Sequence, residues 1–328
     1  MILNCDQLTA VTRGALRIEE NNGSYTFHRF TVAQEEFYKR TRSEFYKKAL
    51  SPASVRLDFT TDASEISFDY SVKVSASRTW FYFDVYKDGL LVCHEGYEGE
   101  ACKEAKLNVA LGKGTKRVEI YFPALFRVKI SNVELKNCTL LTPTEHSDRV
   151  ALIYGDSITQ GYDAKYPALS YANIMASSLG FEPVNQAIGG EDFNAGLLDG
   201  APNIFPELIT VAYGTNDWVH RTKAKTEAEA SEFFNKLKKR YPCAKIVYIS
   251  PIWRADKDKS DAPGGAFDTF IAAIENLAAA HGAEVIHGSD LFPMDKGMFS
   301  DGFLHPNDLG FTQYASRLLA KMRDRGIS

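Results

Sequence analysis

The hydrophobic period changes near residue 149, and that change constrains what the chain can fold into more than any other feature. Before it, apolar and polar residues alternate. In SEISFDYSVKVS (64–75), Ile66, Phe68, Tyr70, Val72 and Val74 share one face. Side chains alternate faces along a strand, so the pattern describes half-buried antiparallel sheet. TWFYFDVYKDGLLVCHEGY (79–97) reads as a strand, a turn at Lys87-Asp88-Gly89 and a second strand, and KRVEIYFP and FRVKISNVELKN add further short strands. Short alternating strands separated by turn signals predict a β-sandwich, jelly-roll-like, over residues 1–145. Segment 33–50, AQEEFYKRTRSEFYKKAL, departs from that pattern and reads as a helical insert or an irregular loop.

Beyond Arg149 the strands become continuous apolar runs, such as ELITVAYG and AKIVYIS, as expected when both faces of a sheet are covered. The spacing predicts strands at 149–154, 183–188, 207–213, 244–250 and 283–287. Helices are predicted near 170–179, 226–240, 266–281 and 307–324. The third of these helices carries Phe267, Phe270, Ile271, Ile274 and Leu277 at helical spacing. Alternating strands and helices predict a three-layer α/β domain with a parallel, flavodoxin-like sheet over residues 146–328. The boundary falls in NCTLLTPTEHSD (137–148), where Pro, Thr and charges replace apolar periodicity.

A chain of 328 residues is long for one core and suits two. The formal net charge of −4 gives no general attraction to nucleic acid or anionic membranes. The basic run Lys236 to Arg240 closes a helix that opens with Glu227 and Glu229, an order that suits the helix dipole. No apolar stretch approaches the roughly 20 residues that span a bilayer. MILNCD shows no basic segment leading into an apolar run. The cysteines, Cys5, Cys93, Cys102, Cys138 and Cys243, are odd in number and scattered, without C-x-x-C or metal-type clustering. A cytoplasmic protein with reduced thiols is the expectation, and neither a metal nor another cofactor is implied.

The residues that carry chemistry all follow predicted strands. Ser157 follows the first, Gly189-Gly190 the second and Gly214-Thr215-Asn216-Asp217 the third, while Asp301 and His305 occupy the last loop. Carboxyl ends of parallel strands converge in space. A Ser hydroxyl needs a base such as His to become a nucleophile, and the tetrahedral oxyanion needs preorganised donors. Backbone N–H groups at a helix start and at a Gly, with an Asn amide, supply such donors. Taken singly, Ser157 is equally a helix cap, the glycines a tight turn, Asn216 a turn residue and His305 a helix-entry residue. Taken together, at successive strand ends, they point to acyl transfer.

GDSIT, NQAIGGE, GTND and HPND occur in that order, and the second half is identified on them as resembling the SGNH hydrolase superfamily, or GDSL-like esterases. The resemblance spans about residues 149–324. It implies Ser157 as nucleophile, His305 as base, and Ser157 N–H, Gly190 N–H and the Asn216 side chain as oxyanion hole. Gly190 is preferred over Gly189 because the family's Gly lies five residues after the Asn, here Asn185. The family places its triad Asp three residues before the His. That position is Gly302 here, and Asp301 lies one residue further back, so Asp301 is the expected acid with another acceptor as the alternative.

The first half resembles the β-sandwich that precedes SGNH domains in some bacterial carbohydrate esterases. Together the resemblances imply a serine esterase that removes acyl groups, acetyl above all, from a carbohydrate or other small-molecule ester. Trp218, directly after GTND, is the expected sugar-stacking residue. The alternatives are a lysophospholipase or thioesterase acting on longer acyl chains, and a non-catalytic carbohydrate-binding protein.

Overall fold

A computed structural model describes residues 1–145 and 148–327. The chain forms two compact units, and neither is continuous in sequence. The first comprises Met1–Thr31, Tyr46–His146 and Lys165–Ala168. The second comprises Val32–Phe45, Ser147–Ala164 and Leu169–Ser328. A single cut between residues 145 and 146 therefore divides most of the chain, but it assigns 32–45 and 165–168 to the wrong sides. The cut itself abuts residues 146 and 147, which lie outside the described residues.

The first unit holds two antiparallel sheets. One runs Thr12–Arg13, Arg56–Thr61, Lys116–Tyr121, Trp80–Lys87, Leu90–Glu98, with Leu141–Pro143 also pairing to Arg56–Thr61. The other runs Arg17–Asn21, Ser24–His28, Phe126–Lys136, Glu65–Val74, Cys102–Ala110. The alternation in 64–75 holds: Ile66, Phe68, Tyr70 and Val72 are buried. The Phe68 and Tyr70 rings reach the facing sheet, with Phe68 and Phe83 centroids 5.7 Å apart and Tyr70 and Phe81 6.0 Å apart. The turn at Asp88-Gly89 has positive φ at both residues, 50° and 79°, the backbone twist that suits a tight hairpin. All five cysteines are free thiols.

The second unit is built on five parallel strands in the spatial order Glu182–Asn185, Val150–Gly155, Leu208–Ala212, Lys245–Ile249, Glu284–Ile286. Successive strand residues explain the unbroken apolar runs. Ala151, Ile153, Val247 and Ile249 join a core with Tyr171, Met175, Phe311 and Leu318 from the helices Tyr171–Ser178 and Asp308–Arg323. On the opposite face Tyr154 meets Phe233 and Tyr248 meets Phe234, both from the helix Lys223–Arg240. Strand order reverses around the first strand, which lies between the second and third. A sheet of this kind binds ligands at the carboxyl ends beside such a reversal.

Segment 33–50 is helical rather than looped, as Val32–Thr41 and Ser43–Ala49. The first of these helices belongs to the second unit, although it precedes most of the first unit in sequence.

Candidate active site

The first strand ends at Gly155, and a four-residue helix, Ser157–Gln160, begins at once. Its cap is Asp156, whose carboxylate accepts the Ile158 N–H at 2.9 Å. Ser157 is therefore the first helical residue and is relieved of capping. Its Oγ instead lies 2.9 Å from His305 Nε2. His305 Nδ1 lies 2.6 Å from Asp301 Oδ2, so the three side chains form one hydrogen-bonded line. Tyr162 stacks on the imidazole, with centroids 5.5 Å apart.

The extra residue between Asp301 and His305 is absorbed by a turn. Asp301 Oδ1 accepts the backbone N–H groups of Phe303, Leu304 and His305, at 3.0, 2.9 and 3.1 Å. Gly302 takes φ of 75°, a region that favours Gly. Partial burial would raise the Asp301 pKa, but the hydrogen bonds from His305 and the loop backbone outweigh it and hold the carboxyl well below the ordinary range. Asp301 is thus an anion suited to hold a neutral imidazole in one tautomer and to stabilise its protonated form.

The second strand leads into Ile188-Gly189-Gly190-Glu191. Here the glycines are required by geometry. A Cβ on Gly189 would lie 2.4 Å from the Tyr162 ring, and Gly190 has φ of 88°. The Gly189 N–H donates to Gln160 Oε1 at 2.7 Å. Among the described residues, the N–H groups of Ser157 and Gly190 make no hydrogen bond to protein. Asn216, in the helix Thr215–His220 that follows the third strand, donates one amide N–H to the Glu191 carbonyl at 2.9 Å. An amide has a second N–H. The first three strand ends thus carry N–H donors, and the first also carries the hydroxyl of a Ser–His–Asp line, the parts for nucleophilic attack on an acyl carbon.

Trp218 does not offer the expected sugar-stacking face. It is 0% exposed, its indole N–H donates to the Gly265 carbonyl at 2.7 Å, and the Arg254 guanidinium lies 4.8 Å from its ring. Proximity to the GTND block in sequence placed it beside Asn216, but the helix turns its side chain into the core.

Several groups at the site escaped the sequence reading. Asp163 is nearly buried at φ of 68°, with a carboxylate oxygen within 4.8 Å of ligand atoms of Asp301 and His305. These three form the one cluster of metal-ligand type among the described residues, and both ring nitrogens of its His are already engaged by Asp301 and Ser157. Arg254 donates to the Thr215 carbonyl and hydroxyl at 3.2 and 3.1 Å, anchoring the start of the Asn216 helix. Burial pushes Asp156 up to about 6, and Glu191 and Asp217 up to about 7 each. The two higher values belong to the neighbours of Gly190 and Asn216. Only an inward-facing run of acids beside GGE and GTND could have signalled them.

Residues 153–312 match the model of the GDSL-like Lipase/Acylhydrolase family. Among solved structures, a salicylyl-acyltransferase, SsfX3, from a tetracycline biosynthetic pathway is similar over 96% of this chain and 94% of its own. Its TM-score is 0.81 and its identity 21%. A putative GDSL-like lipase from Bacteroides ovatus gives 0.78 and 17%, covering 99% and 97%. A family two carbohydrate esterase from Clostridium thermocellum, solved with cellohexaose, gives 0.62 and 18%, covering 92% and 99%. No curated protein sequence matches the chain.

Proposed function

We propose that this chain, a GDSL-type ester hydrolase over residues 153–312, cleaves short acyl esters, acetyl above all, on a carbohydrate or glycoside. The observation that carries the reading is the unbroken line Asp301–His305–Ser157. His305 Nε2 takes the proton from Ser157 Oγ as the oxygen attacks the ester carbonyl. The negative charge that develops on the carbonyl oxygen is met by the N–H groups of Ser157 and Gly190 and by the second amide N–H of Asn216. His305 then gives its proton to the departing alcohol. Water attacks the acyl-enzyme by the reverse proton path, releasing the acid and restoring Ser157. The carbohydrate esterases that share the fold support a sugar as the alcohol. Five free thiols suit a cytoplasmic setting.

A second reading has one observation in its favour. SsfX3, similar over 96% of this chain, is an acyltransferase, so an alcohol could replace water as acceptor. A panel of acetylated sugars and p-nitrophenyl acetate, butyrate and palmitate, run with and without a serine-reactive phosphonate, tests the first reading. Phosphonate-sensitive turnover that favours acetylated sugars is expected, and palmitate preference would overturn the acyl assignment. Adding alcohol acceptors to the same assay distinguishes hydrolysis from transfer by the product formed.

A further inference from the structure

Gln34, Tyr38 and Arg42 stand at intervals of four residues along the helix Val32–Thr41 and its C-terminal end, so they share one face. A polar stripe on a helix usually faces water. Here Gln34 and Tyr38 are 0% exposed, and the stripe reaches one loop, residues 186–192. Gln34 and Gln186 exchange amide hydrogen bonds at 2.9 and 2.8 Å. Tyr38 Oη donates to Glu191 Oε2 at 2.6 Å, and Arg42 donates to Glu191 Oε1 at 3.1 Å and Asp192 Oδ1 at 2.9 Å. The loop is therefore gripped on both sides of Gly189-Gly190. Behind the grip, the Glu191 carbonyl accepts the Asn216 amide.

We propose that this stripe is the positioning element of the oxyanion hole: Tyr38 and Arg42 hold Glu191, and Glu191 in turn aims Gly190 N–H and the Asn216 amide at the substrate oxygen. The proposal rests on the reading of Gly190 and Asn216 as oxyanion donors. Its physical case is energetic as well as geometric. Burying two amides, a phenol and a carboxyl is costly, and an apolar helix face would attach the segment at least as strongly. What directional bonds supply, and apolar packing does not, is orientation. Gly190 has no side chain to pack and sits in a left-handed conformation, so its N–H direction must be set by its neighbours. Donors to an oxyanion lose most of their value when displaced by about 1 Å. Tyr38, Arg42 and Gln34 touch no reacting atom; they act through Glu191 and Gln186.

The test is a double-mutant cycle on the full chain, read by kcat, KM and the affinity for a boronate that mimics the tetrahedral oxyanion. Asn216→Ala alone should lower kcat by about 10²–10³. Tyr38→Phe, which removes one hydroxyl, should lower kcat about 10- to 100-fold with KM within about twofold. It should also weaken boronate binding by the same factor as kcat/KM. In the Asn216→Ala background, Tyr38→Phe should cost less than half as much on a logarithmic scale, because the two act as a unit. Arg42→Gln gives a second route should Tyr38→Phe fold poorly, and its cost should shrink in the same background. Full additivity, or unchanged kcat in Tyr38→Phe while Asn216→Ala is costly, overturns the positioning role and leaves the proposed function standing. A silent Asn216→Ala overturns the oxyanion reading itself.

Discussion

Asp301 and His305 lie four residues apart in one loop, whereas Tyr38 and Glu191 lie 153 residues apart and meet only because the fold brings them together. The first pair is a local device. One aspartate oxygen ties down three backbone N–H groups, the other meets the imidazole, and Gly302 lets the loop accommodate an additional residue. The oxyanion side, on the proposed function, is built from buried and half-buried groups on four separate stretches of chain: the helix Val32–Thr41 and its end, the start of the Ser157 helix, the loop 186–192 and the start of the Asn216 helix. The contrast teaches that the Asp301–His305 hydrogen bond tolerates an additional residue because the loop forms its own turn. Charge stabilisation depends on distant segments holding their places. Substitutions on the two sides should therefore fail in different ways.

The largest effect should come from the residue where both sides meet. On the proposed function Ser157 supplies the attacking oxygen and one backbone donor, and Ser157→Ala removes only the first. Its kcat should fall by about 10⁴–10⁶, leaving the residual catalysis that binding and oxyanion donors provide. The melting temperature should change little, because Asp156 and not Ser157 caps the helix. If Ser157→Ala keeps more than about a tenth of wild-type kcat, a rate far above that residue of catalysis, the nucleophile lies elsewhere and the comparison loses its hinge.

Asp301→Asn probes the local device alone. The Asn oxygen still accepts the backbone N–H groups of residues 303–305, so the turn survives, but the anion facing His305 Nδ1 is gone. The imidazole then favours the wrong tautomer, and kcat should fall by up to about 10⁴. The acidic limb of the pH–rate profile should move as well. Asp163, with a carboxylate oxygen within 4.8 Å of ligand atoms of Asp301 and His305, is an acid placed to take over. A loss below about tenfold, roughly 1.4 kcal/mol of barrier, that becomes large in Asp301→Asn/Asp163→Asn would transfer the acid role to Asp163. A small loss in both would leave a Ser157–His305 dyad.

These differences also mark what could be read from the sequence. The sheet, its helices and the four loop blocks were legible because continuous apolar runs and 3.6-residue spacing are local signals. Ser157, Gly190, Asn216, Asp301 and His305 came from those loops; hydrogen bonds join Asp301, His305 and Ser157, and Asn216 bonds to the residue after Gly190. The helix at 32–41 was weakly legible, since AQEEFYKRT shows no apolar stripe. Its polar stripe at 34, 38 and 42 means little until its partners at 186–192 are known. Trp218 was misread for the related reason that neighbourhood in sequence does not report which way a helix faces. The same limit hid the two units' exchange of segments 32–45 and 165–168, which no break in composition marks.

The smallest predicted effect is read in stability rather than in turnover. Burial raises the Glu191 carboxyl to about 7, against an unfolded value near 4.3, with Tyr38 and Arg42 pulling it partly back. Between those two pH values the folded protein keeps a proton that the unfolded chain has released. Linkage then requires stability to fall as pH rises from about 4 to about 7, and to level off above. Asp156 and Asp217, raised to about 6 and about 7, act in the same sense. Asp301 acts oppositely, its contribution being lost as pH falls below about 4, the unfolded carboxylate value. In Glu191→Gln the titrating group is gone, the amide oxygen can still accept from Tyr38, and Arg42 keeps Asp192. The difference in melting temperature between pH 5 and pH 8 should therefore shrink, by a few degrees at most for a chain of this size, without vanishing. An unchanged difference would mean that Glu191 does not titrate in the folded protein within this range. The oxyanion loop would then be held by a permanent ion pair with Arg42, and its grip would be as insensitive to pH as that of the Asp301 turn above pH 4.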